Sequence, residues 1–221
     1  MNMDVQVSRG TVHADAEGNV IEFKNNQFNK FKKAAIPVEA VDSINQYLNA
    51  QDLEWQPGVI NLGGGEQGVN IQSRKSDIAW IKDDQLKQYI MTQFESANAD
   101  PDWNFDLDAI EDIQYTKYYG KPDEQFNGHY DWHNDTVVSV EEPRRTRKLS
   151  MTLMLSEPEE EFEGGMFQFQ CLVNGNIKQE FIPLKKGDIL VFPSNMSHCV
   201  DFVTNGCRSV LVAWAWGPLF K

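Results

Sequence analysis

From Val38 onward the apolar positions Val38, Val41, Ile44 and Leu48 recur at three- and four-residue spacing, which predicts a helix opened by Pro37. A second stripe of Leu86, Tyr89, Ile90 and Phe94 predicts a helix from Asp83 to Asn98, with Asp83 and Asp84 suited to its N-terminus. Beyond Asp102 the texture changes. The runs Asp112–Tyr119, Lys148–Leu155, Met166–Phe169, Asp188–Phe192 and Arg208–Trp216 are rich in β-branched, aromatic and aliphatic residues. Turn signals separate them, at Gly120, Asn127-Gly128, Gly164-Gly165, Asn174-Gly175, Lys186-Gly187 and Asn205-Gly206. Many short strands with regular turns predict an antiparallel barrel or double-sheet jelly roll, so the chain reads as α+β, with supporting helices mainly from the N-terminal half. Residues 1–35 are polar with few periodic apolar positions and read as an arm or edge strands. Residues 36–221 then form a single domain whose core spans 112–218. Gly63-Gly64-Gly65 reads as a turn, because the following EQGVNIQ lacks the Lys and Ser/Thr of a phosphate cradle.

Composition narrows the function classes. With 221 residues, 41% of them hydrophobic, the chain can bury a sizeable core. A net charge of −13 repels phosphate backbones and makes nucleic acid a poor partner. Three cysteines, Cys171, Cys199 and Cys207, lack CxxC spacing and argue against a disulfide framework or structural zinc. With no signal-like h-region and no stretch able to span a bilayer, the expectation is a soluble, intracellular, cytoplasmic protein. Nothing in the sequence sets an oligomeric state.

Candidate chemistry concentrates in one place. Two of the four histidines fall in the run His129-Tyr-Asp-Trp-His-Asn-Asp135. Residues two apart on a strand share a face, so His133 and Asp135 can present an imidazole and a carboxylate to one ion. His198, after GDILVFPSNMSH, offers a third ligand. Two imidazoles and one carboxylate on one face of an octahedron suit Fe(II) chemistry with O2. Arg208 follows His198 by ten residues across the Asn205-Gly206 turn, which places a guanidinium on the neighbouring strand. An arginine buried there needs an anion, and a dicarboxylate supplies one.

Four segments, IQYTKYYG (113–120), YDWHNDT (130–136), LSMTLMLSEPEEEFEGGMFQF (149–169) and KKGDILVFPSNMSHCVDFVTNGCRSVLVAWAWGP (185–218), together resemble the prolyl 4-hydroxylase branch of the 2-oxoglutarate/Fe(II) dioxygenases. The resemblance implies a double-stranded β-helix in which His133, Asp135 and His198 bind iron and Arg208 binds the 5-carboxylate of 2-oxoglutarate. Tyr118 would line the co-substrate pocket, with Tyr119 its nearest competitor, and Tyr130 and Trp214 would lie near the substrate. It further implies Fe(II), 2-oxoglutarate and O2, with ascorbate as a reductant, and hydroxylation of a prolyl residue in a peptide or protein with release of succinate and CO2. The same chemistry on a free amino acid or other small molecule is an alternative, as is a jelly-roll binding module without turnover. A nucleic-acid demethylase is disfavoured by the charge. Because Asp135 is retained, hydroxylation is expected and not halogenation.

An insertion, KPDEQFNGH, creates a second pair, His129-x-Asp131. Periodicity cannot choose between the pairs; the family spacing Tyr-x-x-His-x-Asp-Thr favours His133 and Asp135 and makes His129 a loop residue at the site's mouth. The basic run Pro143–Lys148, with Arg144, Arg145 and Arg147, reads either as a solvated loop or as a lid over an acidic or polar substrate. The acidic run Glu157–Glu163 reads as a solvated hairpin, with pairing to that lid as the alternative. Cys199 and Cys207 sit beside motif residues and should point away from iron. The C-terminal AWAWGPLF reads as core.

Overall fold

The computed structural model describes residues 12–14, 20–22, 30–63, 66–99, 103–122, 124–173 and 176–220, with side chains described for 30–60, 66–99, 103–122, 124–170 and 177–220. The first half carries strands β1 (Val12–Ala14), β2 (Val20–Glu22), β3 (Lys32–Ala35), helix α1 (Val38–Asn49), and β4 (Gln56–Pro57), β5 (Ile60–Gly63), β6 (Glu66–Gly68), β7 (Arg74–Lys75) and β8 (Asp77–Ile81). Helix α2 (Asp84–Asn98) leads into β9 (Ala109–Ile110), β10 (Ile113–Gly120), β11 (His129–His133) and β12 (Arg145–Met154). The chain closes with β13 (Phe162–Gly164), β14 (Phe167–Val173), β15 (Asn176–Ile182), β16 (Asp188–Pro193), β17 (Ser197–Val200) and β18 (Val203–Pro218).

Two antiparallel sheets form the jelly roll. The larger runs β3-β16-β12-β18-β10-β8-β4, with β9 and β13 also on β18, and the smaller runs β15-β14-β17-β11-β7. Side-chain alternation decides what each face buries. Leu149, Met151 and Leu153 of β12 and Leu211, Ala213 and Ala215 of β18 pack with Val41 and Leu48 of α1 and Ile90, Phe94 and Ala97 of α2. Both helices therefore cover the back of the larger sheet. The alternate positions turn toward the smaller sheet, where Tyr118, Met154, Phe167, Phe169, Phe192, Val203 and Val210 make a second core. Pro37 precedes α1 at φ −56, and Asp83 caps α2 by accepting from the Leu86 amide at 2.7 Å.

Two expectations change. Asn205-Gly206 is not a turn: both residues lie inside the sixteen-residue β18 and pair with Glu163 and Phe162. Gly206 is there because φ is +74 and a Cβ would fall 2.1 Å from the Glu161 carbonyl oxygen. The chain instead changes sheets at Asp201-Phe202, so Arg208 lies across the sandwich from His198 and not on a strand beside it. Of the N-terminal arm, β3 is an edge strand on β16, and most of residues 1–29 lie outside the described residues. Gly64, Gly65, Asn174 and Gly175, read as turns, also lie outside them. No helix among the described residues is long and apolar enough to cross a membrane.

Candidate metal and co-substrate site

His133 ends β11 and stands opposite His198 of β17 in register, with ring centroids 4.2 Å apart. Asp135 lies two residues past the strand end, where its amide donates to the Ser194 carbonyl at 2.8 Å. Its carboxylate oxygens come within 3.9 Å of His133 Nε2 and 3.6 Å of His198 Nε2. The three side chains present ligand atoms all within 4.8 Å of one another and could hold a metal ion. Each imidazole is oriented by its other nitrogen. His133 Nδ1 lies 2.7 Å from the Asp131 carbonyl and His198 Nδ1 lies 2.9 Å from that of Met196, so Nδ1 donates and Nε2 turns its lone pair inward. Burial, then the neighbouring His198, pushes His133 down to about 3, which keeps the ring neutral at neutral pH. Burial alone would raise Asp135, but His198, His133 and Arg147 and the Ser150 hydroxyl outweigh it and hold the carboxyl below its usual range. Neutral imidazoles and an ionised carboxylate are the forms a divalent cation requires.

The overlapping pair is dispersed. The β11–β17 register shifts between Tyr130 and His133, so strand alternation breaks there. His129 is no mouth residue: it is buried, with Nδ1 2.8 Å from the Asn127 carbonyl and Nε2 3.0 Å from that of Gln72. It ties the preceding loop to the turn before β7. Asp131 is exposed and accepts from the Trp132 amide.

Arg208 is 1% exposed, and its Nε and Nη2 have no hydrogen-bond partner among the described residues. Burial lowers its guanidinium to about 10, which leaves it charged at neutral pH. The buried Tyr118 ring lies 5.5 Å from the guanidinium carbon, whereas Tyr119 is exposed. Arg208, Tyr118, Tyr130, Trp214 and the three triad residues all line one cavity of about 380 Å³. A buried cation beside open space, with donors aimed at nothing, fits a carboxylate ligand.

These features agree with what the chain is similar to. Residues 113–216 match the family described as the 2OG-Fe(II) oxygenase superfamily. A PKHD-type hydroxylase of Prochlorococcus marinus (strain NATL2A) is 31% identical over 179 residues, covering 80% of this chain and 72% of that protein. The chain belongs to the 2OG-Fe(II) oxygenase superfamily. A PKHD-type hydroxylase of Synechococcus sp. (strain CC9902) is 39% identical over 85 residues, 38% of this chain, and the matched stretch spans 35% of that relative's length. In fold, the oxygenase resembles a Pseudomonas putida prolyl-4-hydroxylase at a TM-score of 0.58 and 19% identity, covering 84% of this chain and 91% of that one. A prolyl hydroxylase from Trichoplax adhaerens, solved with a hypoxia inducible factor peptide fragment, gives 0.58 at 15% identity, over 83% and 82% of the two chains.

Further aromatic rings and arginines, Trp80, Phe167, Phe192, Arg74 and Arg147, line the cavity among aliphatic and amide side chains. Tyr130 stacks on His133 with centroids 3.4 Å apart, and burial pushes its hydroxyl up to about 12. Arg147 lies 4.0 Å over the Trp214 ring and is held by Glu111, which also accepts from Trp216 Nε1. The basic run is thus neither lid nor solvated loop at Arg145 and Arg147: both lie in β12, where Arg145 pairs with Asp108 at 3.3 Å and Arg147 with Glu111. The acidic run turns elsewhere, Glu157 accepting from the Lys186 amide at 3.2 Å. The sequence reading missed Arg74, buried in β7. Its Nε donates to Ser76 Oγ at 2.9 Å, Nη1 to the Val59 carbonyl at 3.1 Å and Nη2 to Gln114 Oε1 at 2.9 Å, while its head lies 4.4 Å over Tyr130. Cys199 is buried and raised to about 12 by that burial; Cys207 is half-buried; neither thiol belongs to the triad. The Cys171 side chain lies outside the described residues.

Proposed function

We propose that this oxygenase is an Fe(II)- and 2-oxoglutarate-dependent hydroxylase, with His133, Asp135 and His198 as the metal ligands and Arg208 as the anchor of the co-substrate's 5-carboxylate. The observation that carries the reading is the buried Arg208 guanidinium, with Nε and Nη2 unpartnered among the described residues, in the same cavity as the inward-facing triad. With Fe(II) and 2-oxoglutarate bound, the site would supply the coupling of 2-oxoglutarate breakdown to succinate and CO2 with oxygenation of a C–H bond by O2. The chain's own part is orientation. The Asp131 and Met196 carbonyls fix the imidazoles, Ser150 holds Asp135, and Tyr130 and Trp214 wall the substrate side. The apolar rings of Phe167 and Phe192, with centroids 5.4 and 4.8 Å from that of His198, limit water access there.

For the prime substrate we propose a prolyl residue in a peptide or protein, in line with the prolyl hydroxylases the fold resembles. A second reading, a free amino acid or other small carboxylate, is favoured by Arg74, whose cationic head lines the same cavity with three hydrogen bonds, all to neutral groups. The test is succinate formation from 2-oxoglutarate with prolyl peptides against free amino acids, with and without ascorbate. His133→Ala or Asp135→Ala should abolish it, and full turnover by either variant would remove that residue from the ligand set. Substrate that fails to stimulate succinate release at all would favour a binding module.

A further inference from the structure

Gly165 is the wall against which Arg208 rests. It follows β13 at φ +62, and its amide donates to the Phe202 carbonyl at 2.9 Å. A Cβ there would fall 2.8 Å from Arg208 Cδ, 2.9 Å from Val203 Cγ2 and 3.5 Å from Arg208 Nε. Contacts that short require movement, and the atom hit first is the middle of a side chain only 1% exposed. Arg208 lines the cavity, whereas Gly165 and Val203 do not, so both lie behind the arginine stem. Anything added at Gly165 must displace the Arg208 stem, and the space open to it is the cavity that the triad also lines.

We propose that Gly165 is a positioning residue that sets the length of diacid the site accepts, by fixing how far the Arg208 guanidinium stands from the metal ligands. This rests on the assignment of Arg208 as the carboxylate anchor. A ligand held at both ends has no slack: one end is fixed by the triad and the other by a guanidinium whose stem is packed on a bare glycine. Restoring normal carbon–carbon separation from 2.8 Å needs a shift of roughly 1 Å. That displacement is comparable to the reach of one methylene, so it acts on chain length and not on the presence of a carboxylate.

The test compares oxaloacetate, 2-oxoglutarate and 2-oxoadipate, with four, five and six carbons, by calorimetric titration of Fe(II)-loaded protein without oxygen. Wild type should prefer the five-carbon acid. In Gly165→Ala, 2-oxoglutarate should lose affinity relative to oxaloacetate by about ten- to a hundredfold, the scale of a 1 Å misplacement in an oriented site. Fe(II) affinity, measured separately, should hold. Gly164→Ala is the control: it strains the same turn, at φ +76, but its Cβ would meet the Phe202 carbonyl and not Arg208. It should leave the preference unmoved. Should Gly165→Ala not fold, Gly165→Ala/Val203→Ala, which removes one of the two collisions, carries the same measurement. A proportional loss for all three acids, an unchanged preference, or an equal change in Gly164→Ala would overturn the proposal alone. Wild-type protein that binds none of the three would overturn the carboxylate anchor and this proposal together.

Discussion

Arg208 has no acidic partner among the described residues, and its Nε and Nη2 are buried without a hydrogen-bond partner there, so its burial works against folding. Arg208→Met, of similar length and apolar, should raise the stability of the unliganded protein by on the order of 1–4 kcal/mol in denaturant titration. The same variant should lose the thermal shift that 2-oxoglutarate gives the wild type. The stability difference should also depend on pH. Burial lowers the native guanidinium from its ordinary value to about 10, so above about 10 it releases its proton while the unfolded one keeps it. The penalty is present in full below that value, and the gap between variant and wild type should narrow above it. A gap that widens there would contradict burial as its source. At this scale residue type pointed to His133, Asp135 and His198, which the fold brings together, and to a buried Arg208, while the spacing argument that set Arg208 on the strand beside His198 did not hold. The sequence hid what depends on backbone irregularity: the shifted register between Tyr130 and His133 turns His129 away. Arg74 left no signal because its partner Gln114 is forty residues away.

Among elements, α1 and α2 were legible because one apolar stripe at helical period faces one sheet. The end of α2 offers a direct check. The Leu86 amide, then the Tyr47 hydroxyl, lowers the Asp83 carboxyl. Its contribution is therefore present above the ordinary carboxylate range and lost as pH falls through the lowered native value. Asp83→Ala should lower the melting temperature at neutral pH, and the difference from wild type should vanish in acid. Leu153→Ala, at a position with no exposure on β12 between helices and sheet, should cost about 2–5 kcal/mol. The strands were less legible than the helices. β15 has an exposed edge, with Ile177 and Phe181 open to solvent, and carries no clean alternation. Asn205-Gly206 has the composition of a hairpin, yet the same glycine chemistry here serves close approach to Glu161 inside a long strand.

For the whole molecule, the arrangement of the site across two sheets matters most. The triad histidines stand on β11 and β17 of the smaller sheet, and Arg208 on β18 of the larger. A metal ion should therefore protect β11 and β17 from hydrogen exchange, and 2-oxoglutarate added afterwards should extend protection to β18 and its neighbour β10. Protection confined to the smaller sheet after both additions would argue that the diacid does not bridge the sandwich. The unpaired arginine then has a consequence for the protein's lifetime. Proteases sample the opened chain in proportion to its population, and a ligand that answers a buried charge lowers that population. If the diacid is what answers that charge, the rate at which added protease digests the purified protein should fall as the five-carbon acid is raised, even with oxygen excluded and no turnover taking place.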